Sequence, residues 1–219
     1  MIKRIALALS FASLATFGAA QSFNIDFDLG LGDFTAPSSS YAAAGLAGFW
    51  NALLPTSINL NFPNLAGLDG NATGVGFTST RQDAEFATFG TMMADDRALL
   101  EDVWRLSSPM TFTGLGAGFY DIIIYGFVGA DSTFTIGQQT KGITASSWTG
   151  SHVEGGSYAR FSNLQLDGVS SLVIGNSGPI SGMQIVFHGA NPVPEPFTMA
   201  LLGGAALAGY RRIKKKSAA

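Results

Sequence analysis

The chain offers few groups for chemistry. It holds no cysteine and only two histidines, His152 and His188, which excludes thiolate ligands, cysteine nucleophiles and disulfide staples and leaves two anchors for imidazole-assisted catalysis. Ser177 sits in Gly175-Asn176-Ser177-Gly178, which lacks the G-x-S-x-G elbow of a serine hydrolase. His188 ends the last apolar run as a surface residue. His152-Val153-Glu154, in a Gly/Ser-rich stretch, suits orientation of a polar ligand better than base catalysis, since no partner set accompanies it. Glycoside hydrolysis needs two carboxyl groups set across one bond. Asp95/Asp96 and Glu101/Asp102 read as the solvated side of a helix, the first pair favouring its N-terminal dipole. Asp26, Asp121, Glu154 and Asp167 remain, and spacing alone does not pair them. The expectation is a protein that is not an enzyme, with a glycan-active hydrolase as an alternative.

Two binding chemistries fit the remaining residues. Asp26 and Asp28 share a strand face, with Asp33 beyond a Gly-containing bend, and hard oxygen donors of this kind suit Ca²⁺; the plainer reading is an acidic exposed strand face. Sugar recognition needs an aromatic platform beside polar groups. Among Tyr41, Trp50, Trp148 and Tyr158, Trp148 stands out because Ser146, Ser147, Thr149 and Ser151 surround it. Trp148, His152 and Tyr158 are the candidate carbohydrate-binding residues, against a core role of the kind expected for Trp50 and Trp104.

The elements that must position these groups are mostly strands. Phe23, Ile25 and Phe27 alternate with Asn24, Asp26 and Asp28, the pattern of a half-buried strand. Tyr41 to Leu54 reads as a short helix or an irregular segment that places Trp50, and Thr56 to Thr80 as strands and turns. Met92, Met93, Leu99, Leu100, Val103 and Trp104, with acids between them, predict one helix over Thr91 to Arg105. Gly118 to Val128 is nearly all apolar and predicts a central strand buried on both faces. Ser132–Ile136 and Gln138–Thr144 form a hairpin about Gly137, and Tyr158–Leu164, Ser171–Ile174 and Ile180–His188 add three strands. Short strands separated by Gly, Asn and Ser predict a mostly β body, a sandwich of jelly-roll type with one packed helix.

Both ends of the chain carry a different signal. Lys3 and Arg4, the apolar run Ile5 to Phe17, and Gly18-Ala19-Ala20 have the layout of a cleaved export leader over residues 1–20. At the other end, residues 191–219 hold a proline-rich hinge, an uncharged apolar segment over 197–210 that would form a membrane helix, and a basic cluster over 211–216. At about 1.5 Å per residue the apolar segment reaches only about 21 Å, so snorkelling of the cations or local thinning must close the gap to a bilayer core. The body between them, residues 21–190, has the size of one domain. Of twelve Lys and Arg, two lie in the leader and five in the tail; the five left face fourteen Asp and Glu, so the body carries about −9. A surface of that sign repels nucleic acid.

Val193-Pro194-Glu195-Pro196, the Leu/Ala/Gly-rich span Ala200 to Gly209, and Arg211-Arg212 resemble the PEP-CTERM sorting signal of Gram-negative bacteria. The resemblance implies that Pro194, Glu195, Pro196, Arg211 and Arg212 serve sorting and processing by an exosortase-like membrane protease. It also implies transient residence in the inner membrane, then a place at the cell surface or in an extracellular matrix, alongside exopolysaccharide. A second resemblance covers the body. Gly48-Phe49-Trp50-Asn51, Gly114-Leu115 to Tyr120-Asp121 with Ile124-Tyr125-Gly126, Tyr158-Ala159-Arg160-Phe161 and Ile180 to Ile185 are similar to galactose-binding-like β-sandwich modules, which implies sugar recognition. The expected function is an exported surface or matrix protein whose body binds exopolysaccharide, with a passive structural biofilm component as the alternative.

Overall fold

The computed structural model describes residues 22–29, 36–86, 92–127, 129–144 and 148–190. The segment expected to be a leader, Asp33, the Pro-Glu-Pro element, the apolar segment over 197–210 and the basic cluster lie outside the described residues. Among the described residues the body is mostly β, with one short helix, as the turn-rich sequence predicts. In order come β1 (Phe23–Asp26), β2 (Trp50–Ala52), β3 (Asn59–Phe62), β4 (Gly76–Phe86), α1 (Ala94–Leu100), β5 (Asp102–Leu106), β6 (Met110–Thr113) and β7 (Ala117–Gly126). They are followed by β8 (Ser132–Ile136), β9 (Gln139–Ile143), β10 (Tyr158–Asp167), β11 (Leu172–Ser177) and β12 (Pro179–Gly189).

The strands form one continuous hydrogen-bonded sheet in the order β10-β7-β12-β5-β4-β6-β11-β8-β9, with β1 and β2 added beside β12 and β3 beside β4. Its two ends meet. Thr144 N donates to Gly155 O at 2.9 Å, and the Lys141 ammonium reaches Glu154 at 3.2 Å, joining the segment after β9 to the segment before β10. Phe161 of β10, Ile143 of β9, Phe134 of β8, Phe112 of β6 and Phe77 of β4 belong to one buried cluster, so the sheet turns back on itself and encloses them. Full burial of each such ring is worth about 1.5–3 kcal/mol.

β7 lies between β10 and β12, and its apolar run has the predicted reason: Tyr120, Ile122 and Ile124 face the main core, while Ile123 and Tyr125 face a second cluster on the other side. The hairpin β8/β9 turns at Gly137, whose φ of +58° suits a residue without Cβ. Three expectations are corrected. β1 is buried along its whole length, because β12 and β2 flank it and both of its faces are covered. The helix spans only Ala94–Leu100, ending at Glu101; Asp102 to Leu106 pair with β4 instead, and the alternation of Val103 with Arg105 serves a strand as well as a helix. Glu101 and Asp102, read as solvated, are buried for the same reason. Tyr41 to Leu54 forms turns and then β2, so the irregular reading of that segment holds.

Candidate functional site

Period-two alternation sends one set of side chains from neighbouring strands to the outer face of the sheet. Tyr125 comes from β7, Gln184 from β12, Asn24 from β1, and Tyr158 and Arg160 from β10. The turns of residues 36–49 lie over them, anchored by backbone groups. Tyr125 donates its hydroxyl proton to Gln184 Oε1 and accepts from Ala44 N at 2.8 Å. Gln184 Nε2 donates to Asn24 Oδ1 at 2.8 Å and to Leu46 O at 2.9 Å, and Arg160 donates to Ala44 O. Gln184 is wholly buried, and every hydrogen-bonding atom of its amide is used. Burial drives the Tyr125 hydroxyl pKa upward, so it remains a proton donor.

Over this layer stand Tyr41, Asp96, His152 and Trp148. Tyr41 donates to Asp96, which fixes the direction of the chain: His152 Nε2, 2.6 Å from the Tyr41 oxygen, carries the proton and donates to it. His152 Nδ1 is then an acceptor for Ser157 Oγ at 3.4 Å. Burial lowers the His152 pKa and so favours the neutral imidazole, and the charge of Asp96 opposes this in part. Desolvation, then the bond and charge of Asp96, drive the Tyr41 pKa upward. Ser157 also accepts from Val153 N at 3.0 Å, so its hydroxyl closes the 153–157 turn and is not a free nucleophile.

The three residues expected to bind sugar are brought together here. Trp148 meets the His152 ring edge-on at 5.2 Å, Tyr125 meets the same ring at 5.2 Å, and Tyr158 lies 6.1 Å from Tyr125. Their availability differs. Trp148 is partly buried against the second cluster, with exposed Thr149, Gly150 and Ser151 beside it. The His152 side chain is only 9% exposed, both its nitrogens have partners inside the protein, and its ring packs against Trp148. Tyr158 carries the Arg160 guanidinium 5.9 Å from its ring centroid. Trp50 and Trp104 are buried, as their apolar neighbours predict.

The acidic residues separate into different environments. β12 pairs with β1 over Gly182–Ile185 and with β5 at Pro179–Ile180, so the end of β1 meets the start of β5 along one edge. Gly182 permits α1 to lie there, since a Cβ would run into Leu99. This junction gathers Asp26, Asp28 and Asp102 out of water. Asp26 Oδ1 and Asp102 Oδ1 are buried without a hydrogen-bond partner, as is Ser181 Oγ, opposite Phe27. Burial, reinforced by Asp28 and Asp102, pushes the Asp26 pKa well up; burial raises Asp102 to about 6, opposed by the Leu29 amide and reinforced by Asp28 and Glu101. The expected exposed strand face is thus a buried one. Among the described residues no three His, Asp or Glu side chains are grouped so as to hold a metal ion, and Asp33 of the expected Ca²⁺ set lies outside them.

The other carboxylates considered for glycan hydrolysis are engaged elsewhere. Asp121 pairs with Arg160 and His188, each at 3.3 Å, and accepts from Asn163 N. Glu154 holds Lys141, and Asp167 is brought down to about 2 by the Ser170 hydroxyl and the Ser170 and Val169 amides of its turn. Sequence reading missed Gln184 and the Tyr41–Asp96 contact, and it took the buried Asp102 for a solvated residue. Gln184 did carry a signal: one amide side chain within an otherwise apolar strand needs buried partners. Among the described residues no helix is long and apolar enough to cross a membrane. Comparison with known proteins gives no matching family model, no matching curated protein and no matching solved structure.

Proposed function

We propose that the chain is an exported cell-surface or extracellular-matrix protein, processed at its tail by an exosortase-like membrane protease, whose body is a jelly-roll-type β-sandwich that binds exopolysaccharide. The observation that carries the sorting half is the fixed order of Pro194-Glu195-Pro196, an uncharged apolar span, and Arg211-Arg212 followed by three lysines. A proline-flanked Glu195 presents an extended backbone to a protease without further ordering. The return of the sheet on itself around one core supports the sandwich. Trp148 supports the binding half: its ring is held by His152 beside small polar residues, and a platform already fixed loses little entropy when a sugar stacks on it.

A passive structural role is the second reading, favoured by the internal pairing of Tyr41, Asp96 and His152. A glycan-active hydrolase would have to draw on carboxylates that are already engaged or sealed, so binding is preferred to cleavage. Replacing Pro194, Glu195 and Pro196 with Ala, in cells that hold the protease, is expected to leave a longer, membrane-retained form. An unchanged mature mass would overturn the sorting reading. On a glycan array the full-length chain should retain neutral polysaccharide and Trp148→Ala should lose it; no binding by the parent chain would favour the passive role.

A further inference from the structure

The exposed large apolar side chains are not evenly spread. Leu46, Phe49, Leu54 and Ile58 all fall within thirteen residues around β2, and Phe49 is 43% exposed although Trp50 beside it is buried. A groove of about 300 Å³ opens here, lined by Phe49, Asn51, Leu53, Phe62, Pro63 and Asn64 with their neighbours, and no lining residue is charged. That volume lies at the lower end of small-molecule pockets.

The walls are fixed by bonds within the protein. Phe49 N donates to Leu68 O at 2.8 Å, and the Phe49 ring lies beside Gly70, whose φ of +81° keeps that turn free of a side chain. Asn51 exchanges two bonds with Ala66, each 2.8 Å, and gives a third to Asn24 O, so β2 and the 65–68 segment cannot part easily. Asn64 Oδ1 accepts from Gly74 N at 2.8 Å, which points its amide while leaving the NH₂ group for a ligand. Rigid phenyl walls with an amide donor at the rim match a molecule with an apolar C–H face and a hydroxylated edge. The absence of charge, in a body of about −9, selects against anionic glycans and leaves a neutral ring as the complementary occupant.

We infer that this groove is a second saccharide subsite, separate from Trp148, that takes a neutral pyranose ring stacked on Phe49 with a hydroxyl bonded by Asn64. The inference rests on the polysaccharide-binding reading and adds to it a position and a ligand class. The test titrates the ¹⁵N-labelled full-length chain, in mild detergent, with glucose, galactose, cellobiose and lactose while amide signals are followed by NMR. Saturable shifts at Phe49, Asn51, Asn64 and Leu65 are expected, insensitive to salt, and persisting in Trp148→Ala. Phe49→Leu, which keeps apolar bulk without a flat face, should weaken binding about tenfold with an unchanged melting temperature, and Asn64→Ala should weaken it less. Shifts confined to the Trp148 region, with polysaccharide still retained, would overturn the groove and leave the binding reading standing. Loss of both responses would sink the two together, and a stronger response to galacturonate than to galactose would overturn the neutral-ligand assignment.

Discussion

The polar cluster around Gln184 and His152 and the carboxylate junction around Asp26 are both buried, and both use short polar side chains from β1 and β12 and the neighbourhood of α1. They differ in the balance of donors and acceptors. In the first, amides, hydroxyls and an imidazole alternate as donor and acceptor, so Gln184, Tyr125, Asn24, Tyr41 and His152 satisfy one another. In the second, three carboxyl groups face one another, and two buried oxygens are left without partners. Burial of polar groups is inexpensive when the types alternate and costly when they repeat. The first cluster holds a surface loop in place, while the second stores a dependence on protons.

Gln184→Ala breaks the first region most severely, because it orphans the Tyr125 hydroxyl proton and Asn24 Oδ1 at once, leaves Leu46 O with only its bond from Asn24 Nδ2, and opens a void beneath the 36–49 turns. A loss of about 3–5 kcal/mol in chemical denaturation is expected. A loss under 1 kcal/mol would mean that water replaces the amide at little cost. His152→Ala comes next, at about 2 kcal/mol, and should also loosen Trp148, seen as a red shift of its fluorescence. No emission change would show that Trp148 is held by other contacts.

The carboxylate junction should respond in the opposite sense. Its folded-state pKa values are raised, so the folded chain binds protons more tightly than the unfolded chain; the resulting stability is full below about pH 4 and is lost as pH rises through about 6. The melting temperature should therefore fall between pH 5 and 7.5. Asp102→Asn, which supplies a neutral donor, should flatten that slope and stabilise the protein at pH 7.5 by about 1–2 kcal/mol. A slope unchanged by the substitution would assign the pH dependence to Asp26 or to groups elsewhere.

Much of the scaffold was legible. The apolar run of β7 announced that both its faces would be covered, Gly137 announced its hairpin, and Trp50 and Trp104 declared themselves core residues through their neighbours. The helix was overextended because Val103 and Trp104 fit either period, and only the pairing of β5 with β4 decides between them. Trp148, His152 and Tyr158 lie about one set of aromatic rings, yet the sequence contained no sign that Tyr41, 111 residues away, would occupy His152 Nε2.

What the sequence by itself determined are properties carried by local composition: the lack of thiols, the acidic charge of residues 21–190, and the alternation that makes strands. Tertiary structure alone decided which acids are sealed together, which imidazole nitrogen bears a proton, and that Phe49 is exposed while Trp50 is buried. Alternation and charge are short-range facts, readable within a few residues. A dry environment or a completed hydrogen bond depends on groups distant in the chain, here Asp26 with Asp102 and Asn24 with Gln184, and exists only once the sheet has brought them together.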